Sequence, residues 1–69
     1  MKRNHDLDKH DLDKVAHEAY QAHRIACENW DNGYINDIWL DDNKNICIRY
    51  DNGKWWHYST NDGGQWTWW

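Results

Sequence analysis

Four side chains in this 69-residue chain have the types of a zinc donor set and are the candidate metal ligands: His23, Cys27, Cys47 and His57. Two thiolates and two imidazoles bind Zn²⁺ tetrahedrally, with Zn–S near ~2.3 Å and Zn–N near ~2.0 Å. His23 and Cys27 are four residues apart, so on a helix both point from one face toward one spot. Cys47 and His57 are ten apart and must be brought together by strand pairing. The plainer reading makes Cys27 and Cys47 small buried hydrophobes, His23 a satisfied core histidine and His57 a member of an aromatic cluster. A structural zinc would help a chain this short, whose core alone is thin.

The stretch that must position the second pair is Asn45–Tyr50, then Asp51-Asn52-Gly53, then Lys54–Tyr58. Two runs of β-branched and aromatic residues flank a glycine that tolerates positive φ, the pattern of a β-hairpin. A two-residue Asn-Gly turn sets Tyr50 opposite Trp55 and Ile48 opposite His57. A three-residue loop with a bulge sets Tyr50 opposite Lys54 and Cys47 opposite His57. Both registers fit the sequence; the second sorts it better, into an Ile46, Ile48, Tyr50, Trp56, Tyr58 face and a Cys47, Arg49, Trp55, His57 face. The zinc site then requires that a helix cover the cysteine face.

That helix is predicted over about residues 7–29, entered through the repeat His5-Asp-Leu-Asp-Lys9, His10-Asp-Leu-Asp-Lys14. At 100° per residue, Leu12, Val15, Ala16, Ala19, His23, Ala26, Cys27 and Trp30 share a face, with Tyr20 at its edge. The pairs Asp6/His10 and Asp13/His17 lie on the flank, where a solvated charged surface is the ordinary reading and weak ion chelation the sharper one. The helix stops at Asn29–Gly33, and turn signals then recur every ten residues, at 31–33, 41–43, 51–53 and 61–64. The expected fold is α+β in a single domain, residues 1–69: one helix packed on a three- or four-stranded antiparallel meander over about 34–69.

Ten of the eleven aromatic residues lie from Trp30 onward, so the sheet must use tryptophan where larger proteins use aliphatics. One helix shields one side, which leaves some indoles outward. Exposed Trp and Tyr beside acids are the composition of a protein-binding surface. Residues 29–69 carry six acids against three bases, and the whole chain is at −4, the wrong sign for nucleic acid and the right one for a basic protein. Catalysis has little support: a cysteine and His57 could pair as nucleophile and base, but no orienting third group, phosphate loop or nucleophile elbow is legible. No signal peptide or apolar span is legible either, so the chain is expected in the cytoplasm.

In its length, its acidic turns Asp31, Asp41-Asp42, Asp51 and Asp62, and its Trp-rich sheet from Trp39 to Trp69, the chain resembles the small acidic anti-CRISPR proteins of phages, in particular inhibitors of Cas9. The resemblance implies a non-enzymatic inhibitor, acting in the cytoplasm of a bacterial host, that binds a basic Cas9-type nuclease and blocks guide or target-DNA loading. The expected contacts are Asp41, Asp42, Asp51 and Asp62 with Trp55 and Trp56. The alternative is a zinc-stapled adaptor module with a different protein partner.

Overall fold

The computed structural model describes residues 9–69. Helix α1 runs Lys9–Ala26, followed by strands β1 Ile35–Leu40, β2 Ile46–Tyr50, β3 Trp55–Thr60 and β4 Trp66–Trp68. The strands form one antiparallel sheet in the order β1-β2-β3-β4, the expected helix on a four-stranded meander. The start of the helix and the Asp6/His10 pair fall outside the described side chains. At its other end α1 stops at Ala26 rather than Asn29, closed by a tightened Cys27 N–H to Arg24 carbonyl bond of 3.2 Å. The chain must reverse there so that Trp30 can fold back edge-on against Tyr20, His23 and Tyr50, with its Nε1–H donating to the Gly33 carbonyl at 2.7 Å. The early stop leaves Ala26 exposed, off the apolar face expected for it.

One hairpin geometry is used three times. The amide of the first residue bonds the carbonyl four residues on, and the amide three residues on bonds back: Asp41 with Asn45 and Lys44, Tyr50 with Lys54 and Gly53, Asn61 with Gln65 and Gly64. Each is a three-residue loop whose last position takes positive φ, at Lys44 (66°), Gly53 (87°) and Gly64 (79°). In two of them the side chain of the first residue organises the loop, and in the middle one Asn52 Oδ1 accepts from the Lys54 amide. Asp41 Oδ1 accepts from the amides of Asn43 and Asn45, and Asn61 Oδ1 accepts from those of Gly63 and Gln65. The middle loop fixes the register Cys47↔His57, Ile48↔Trp56 and Arg49↔Trp55, the bulged alternative of the two.

The helix lies on the Ile46, Ile48, Tyr50, Tyr58 face. Ala16 and Ala19, with no exposed surface, let α1 approach closely, and Leu12, Val15, Trp30, Ile35, Ile38, Leu40, Trp56, Trp66 and Trp68 close the rim of this core. Its polar atoms satisfy one another: Tyr50 Oη is 2.7 Å from Tyr58 Oη, which is 2.7 Å from His23 Nδ1. Burial pushes the Tyr50 hydroxyl up to about 12, raises Tyr58 further, and holds His23 below the usual imidazole range. Below the sheet's middle loop, Gly33 (φ 85°) has no room for a side chain, because a Cβ there would stand 2.8 Å from the Cβ of Asp51.

These shifts fix the sign of the pH dependence. A native His23 that resists protonation gives its full stabilisation above the unfolded value near ~6.5 and loses it as pH falls from there toward the lowered native value. The raised tyrosines lose theirs as pH climbs above ~10, where the unfolded chain ionises first. Urea midpoints should therefore fall on both flanks, and His23→Gln should flatten the acid side; an unchanged acid slope in that variant would contradict the assignment.

Candidate functional site

Because side chains alternate across a strand, the face opposite the helix carries Asp37 and Trp39 from β1, Cys47 and Arg49 from β2, Trp55, His57 and Ser59 from β3, and Thr67 from β4. Trp69 continues β4: its amide and carbonyl bond the carbonyl and amide of His57 at 3.2 and 2.9 Å. Among the described residues no element covers this face. One row crosses the whole sheet as Trp39, Cys47, His57, Trp69. Trp55 sits below it, 5.4 Å from Trp39 and 4.9 Å from His57 between ring centroids, and Trp69 stacks on His57 at 5.1 Å and 4°. Arg49 reaches across to Asp37 at 3.2 Å and lies 5.8 Å from the Trp39 ring centre. Trp55 is 48% exposed and Trp69 53%, so the indoles remain open to a partner while Cys47 between them is fully buried.

This arrangement divides the expected zinc tetrad. His23 and Cys27 lie on the helix side of the sheet, Cys47 and His57 on the other. His23 is enclosed by rings, stacked on Trp68 at 4.5 Å and edge-on to Trp30 and Trp56, with Nδ1 held by Tyr58. The physical reason is Arg49: had the helix covered the cysteine face, it would have buried that guanidinium and the Asp37 carboxylate instead of two isoleucines and two tyrosines. His17 is likewise no free ligand, with Nδ1 2.8 Å from the Asp13 carbonyl and Nε2 2.7 Å from the Tyr34 hydroxyl.

The structure does bring three donors together, and the third is one the sequence reading placed elsewhere. Ligand atoms of Asp41, Cys47 and His57 all lie within 4.8 Å of one another, close enough to hold a metal ion. Asp41 follows Trp39 by two residues on the same face, and its turn hydrogen bonds with Asn45 aim the carboxylate back over the sheet; Oδ2 stands 4.0 Å from His57 Nε2. The amide of Asn45, with its side chain and the amide of Asn43, holds the Asp41 carboxyl below the usual range. Desolvation, with the Asp41 charge beside it, pushes the Cys47 thiol up.

The expected partner contacts separate in the same way. Trp55 is outward, whereas Trp56 points inward, edge-on to His23 and 5.9 Å from Tyr50, and cannot meet a partner on this face. Asp42 and Asp62 are exposed at the same end of the meander as Asp41. Asp51 lies at the opposite end, where its carboxylate accepts from the Tyr34 amide at 3.0 Å. Trp39 and Trp69, not singled out from sequence, complete the surface. Their signal was the alternation of β1 and the pairing of the last strand with His57.

No protein-family model, curated protein or solved structure matches this chain. Among the described residues no helix is long and apolar enough to cross a membrane.

The two thiols should separate cleanly in the folded protein. Partly exposed Cys27 reacts first with an aromatic disulfide reagent, and buried Cys47 reacts only on the timescale of opening, by at least ~100-fold more slowly. The Cys27→Ser variant should show the slow phase alone; fast labelling of Cys47 in folded protein would instead favour a thiol enzyme.

Proposed function

We propose that this chain is a non-enzymatic binding protein that grips a basic macromolecular complex with the uncovered face of its sheet. The observation that carries the reading is the open row of Trp39, Trp55, His57 and Trp69 on a four-stranded sheet whose other face alone is packed. Large rings of this kind supply most of the affinity in protein interfaces when fully desolvated. The exposed carboxylates of Asp42 and Asp62 stand in the two loops at one end of this sheet, while Asp37 is already paired with Arg49. Such a rim attracts a positive partner and repels nucleic acid.

The channel of a Cas9-type nuclease is positive because it holds a guide–target duplex. With the resemblance to small acidic anti-CRISPR proteins, that makes a CRISPR effector the partner of choice, with occlusion of guide or target DNA as the mode of inhibition. A second reading, a zinc-stapled adaptor with another protein partner, is favoured by the three donors of Asp41, Cys47 and His57.

The test is DNA cleavage by a purified Cas9–guide complex titrated with the protein. Inhibition should be stoichiometric, and Trp55→Ala or Trp69→Ala should weaken binding by roughly 30-fold each, the ~2 kcal/mol of a central aromatic contact. Asp42→Lys with Asp62→Lys should slow association and reduce its salt dependence. Ile25→Ala, 81% exposed on the helix, should change neither. Full inhibition by the two tryptophan variants would remove this surface from the mechanism, and absence of inhibition by the parent would remove the partner.

A further inference from the structure

Three donors from a loop and two strands meet on the open face, and their surroundings are those of a coordination site. The Nδ1 of His57 is 3.3 Å from the Trp69 carbonyl, a partner that fixes the proton on that nitrogen and leaves the Nε2 lone pair directed toward Asp41. Asp41 is oriented by three hydrogen bonds, from the amides of Asn43 and Asn45 at 2.8 and 2.9 Å and from Asn45 Nδ2 at 3.2 Å. Cys47 Sγ has only a long contact of 3.9 Å to the Asn45 carbonyl.

This arrangement is poor for thiol catalysis. A nucleophile–base–acid relay needs the base to meet the thiol through one nitrogen and the acid through the other. Here Asp41 faces Nε2, Nδ1 faces a carbonyl, and the sulfur has no exposed surface. One ligand atom from each of the three groups instead lies within 4.8 Å of the other two.

We infer that Asp41, Cys47 and His57 bind one zinc ion, with a fourth coordination position left to water or to a donor from a partner. This shares with the second reading above only the presence of a metal, replaces its staple with an open site, and requires no partner. Thiolate, imidazole and carboxylate together suit Zn²⁺ and exclude Mg²⁺ and Ca²⁺, which take oxygen donors. Donors of a tetrahedral zinc sit about 3.3–3.6 Å apart, so separations of up to 4.8 Å require a modest side-chain rotation on binding.

The ion is not a staple. Its donors are placed by a hairpin and a β2–β3 pairing complete in hydrogen bonds without it, and Asn61 builds the same turn in the β3–β4 loop, where no such trio forms among the described residues. The metal-free chain is therefore expected to keep its fold, unlike a small module organised by zinc. With three protein ligands the site keeps an exchangeable position beside Trp39, Trp55 and Trp69, where a metal can recognise a partner's histidine, cysteine or carboxylate.

The test uses the full chain stripped with chelator, desalted under reducing conditions and titrated with Co²⁺, then Zn²⁺. One equivalent of Co²⁺ should give a thiolate-to-metal charge-transfer band that Zn²⁺ displaces and excess Mg²⁺ or Ca²⁺ does not. Cys27→Ser and His23→Gln should keep the band. His57→Gln and Asp41→Asn should weaken binding by at least ~100-fold, the upper range for losing an outer-shell partner alone. Asp41→Asn keeps the turn, so its far-ultraviolet circular dichroism should match the parent. Cys47→Ser should remove the band; if it does not fold, the His57 and Asp41 variants decide. No band in the parent, or a band lost with Cys27 or His23 and kept without His57, would overturn the assignment. A metal-free chain that is unfolded would overturn the open-site reading in favour of a staple. Failure here leaves the tryptophan surface and its binding test untouched.

Discussion

The molecule depends on one choice, the side of the sheet on which its single helix lies. Both faces of β2 and β3 carry apolar and aromatic groups, but they differ in what must be desolvated. The helix-covered face offers Ile46, Ile48, Tyr50, Trp56 and Tyr58, whose fully buried polar atoms are the two tyrosine hydroxyls, which bond each other, while the indole N–H belongs to partly buried Trp56. The open face offers Arg49, whose guanidinium has an exposed carboxylate for a partner. Fully burying an isoleucine is worth about 1.5–3 kcal/mol, whereas moving an ion pair out of water costs several kcal/mol per ion unless every donor is satisfied. His23 then completes the covered side by bonding Tyr58, so the helix brings the one polar group the tyrosines lack.

Much of this architecture could be read from the chain. The recurrence of Asp/Asn/Gly clusters every ten residues marks the turns, and Gly53 and Gly64 occupy the positive-φ positions their loops demand. The bulged hairpin register follows from the same chemistry, because it alone sets Trp56 and Tyr58, rather than Trp55 and His57, on the side of Ile46 and Ile48. What periodicity cannot express is which side wins, since it ranks residues along an element and not faces against each other. The zinc tetrad failed at that step. The charge of Arg49, between Cys47 and Trp55 in the face assignment, was the available signal that this side would stay wet.

Asp41, expected as a partner contact, was missed as a metal donor for a related reason. An acid in a turn reads as hydrated, and nothing in its neighbours distinguishes it from Asp42. Its role appears only when the three loops are superposed in chemistry: Asp41 and Asn61 do the same backbone work, so the turn needs an acceptor side chain but no charge. A carboxylate where an amide suffices is a surplus feature, and it stands 4.0 Å from a histidine. Asp51 shows the reverse case, an acid expected at an interface whose carboxylate is spent on tying the middle loop to the Tyr34 amide.

The last two residues show how this small chain handles two faces at once. Trp68 points inward and stacks on His23 at 26°, while Trp69 points outward and stacks on His57 at 4°. The same strand thus closes the core and builds the open row. Inside, burial among the rings disfavours the charged imidazole and holds His23 below its usual range. Outside, the indole stacks on a partly exposed His57 and itself stays 53% exposed. Ordering a side chain before a partner arrives removes part of the entropic cost of binding. A β-meander of only four strands has no inner layer in which to bury seven tryptophans, so the outward three are held by one another and by His57, in the geometry a second surface would need.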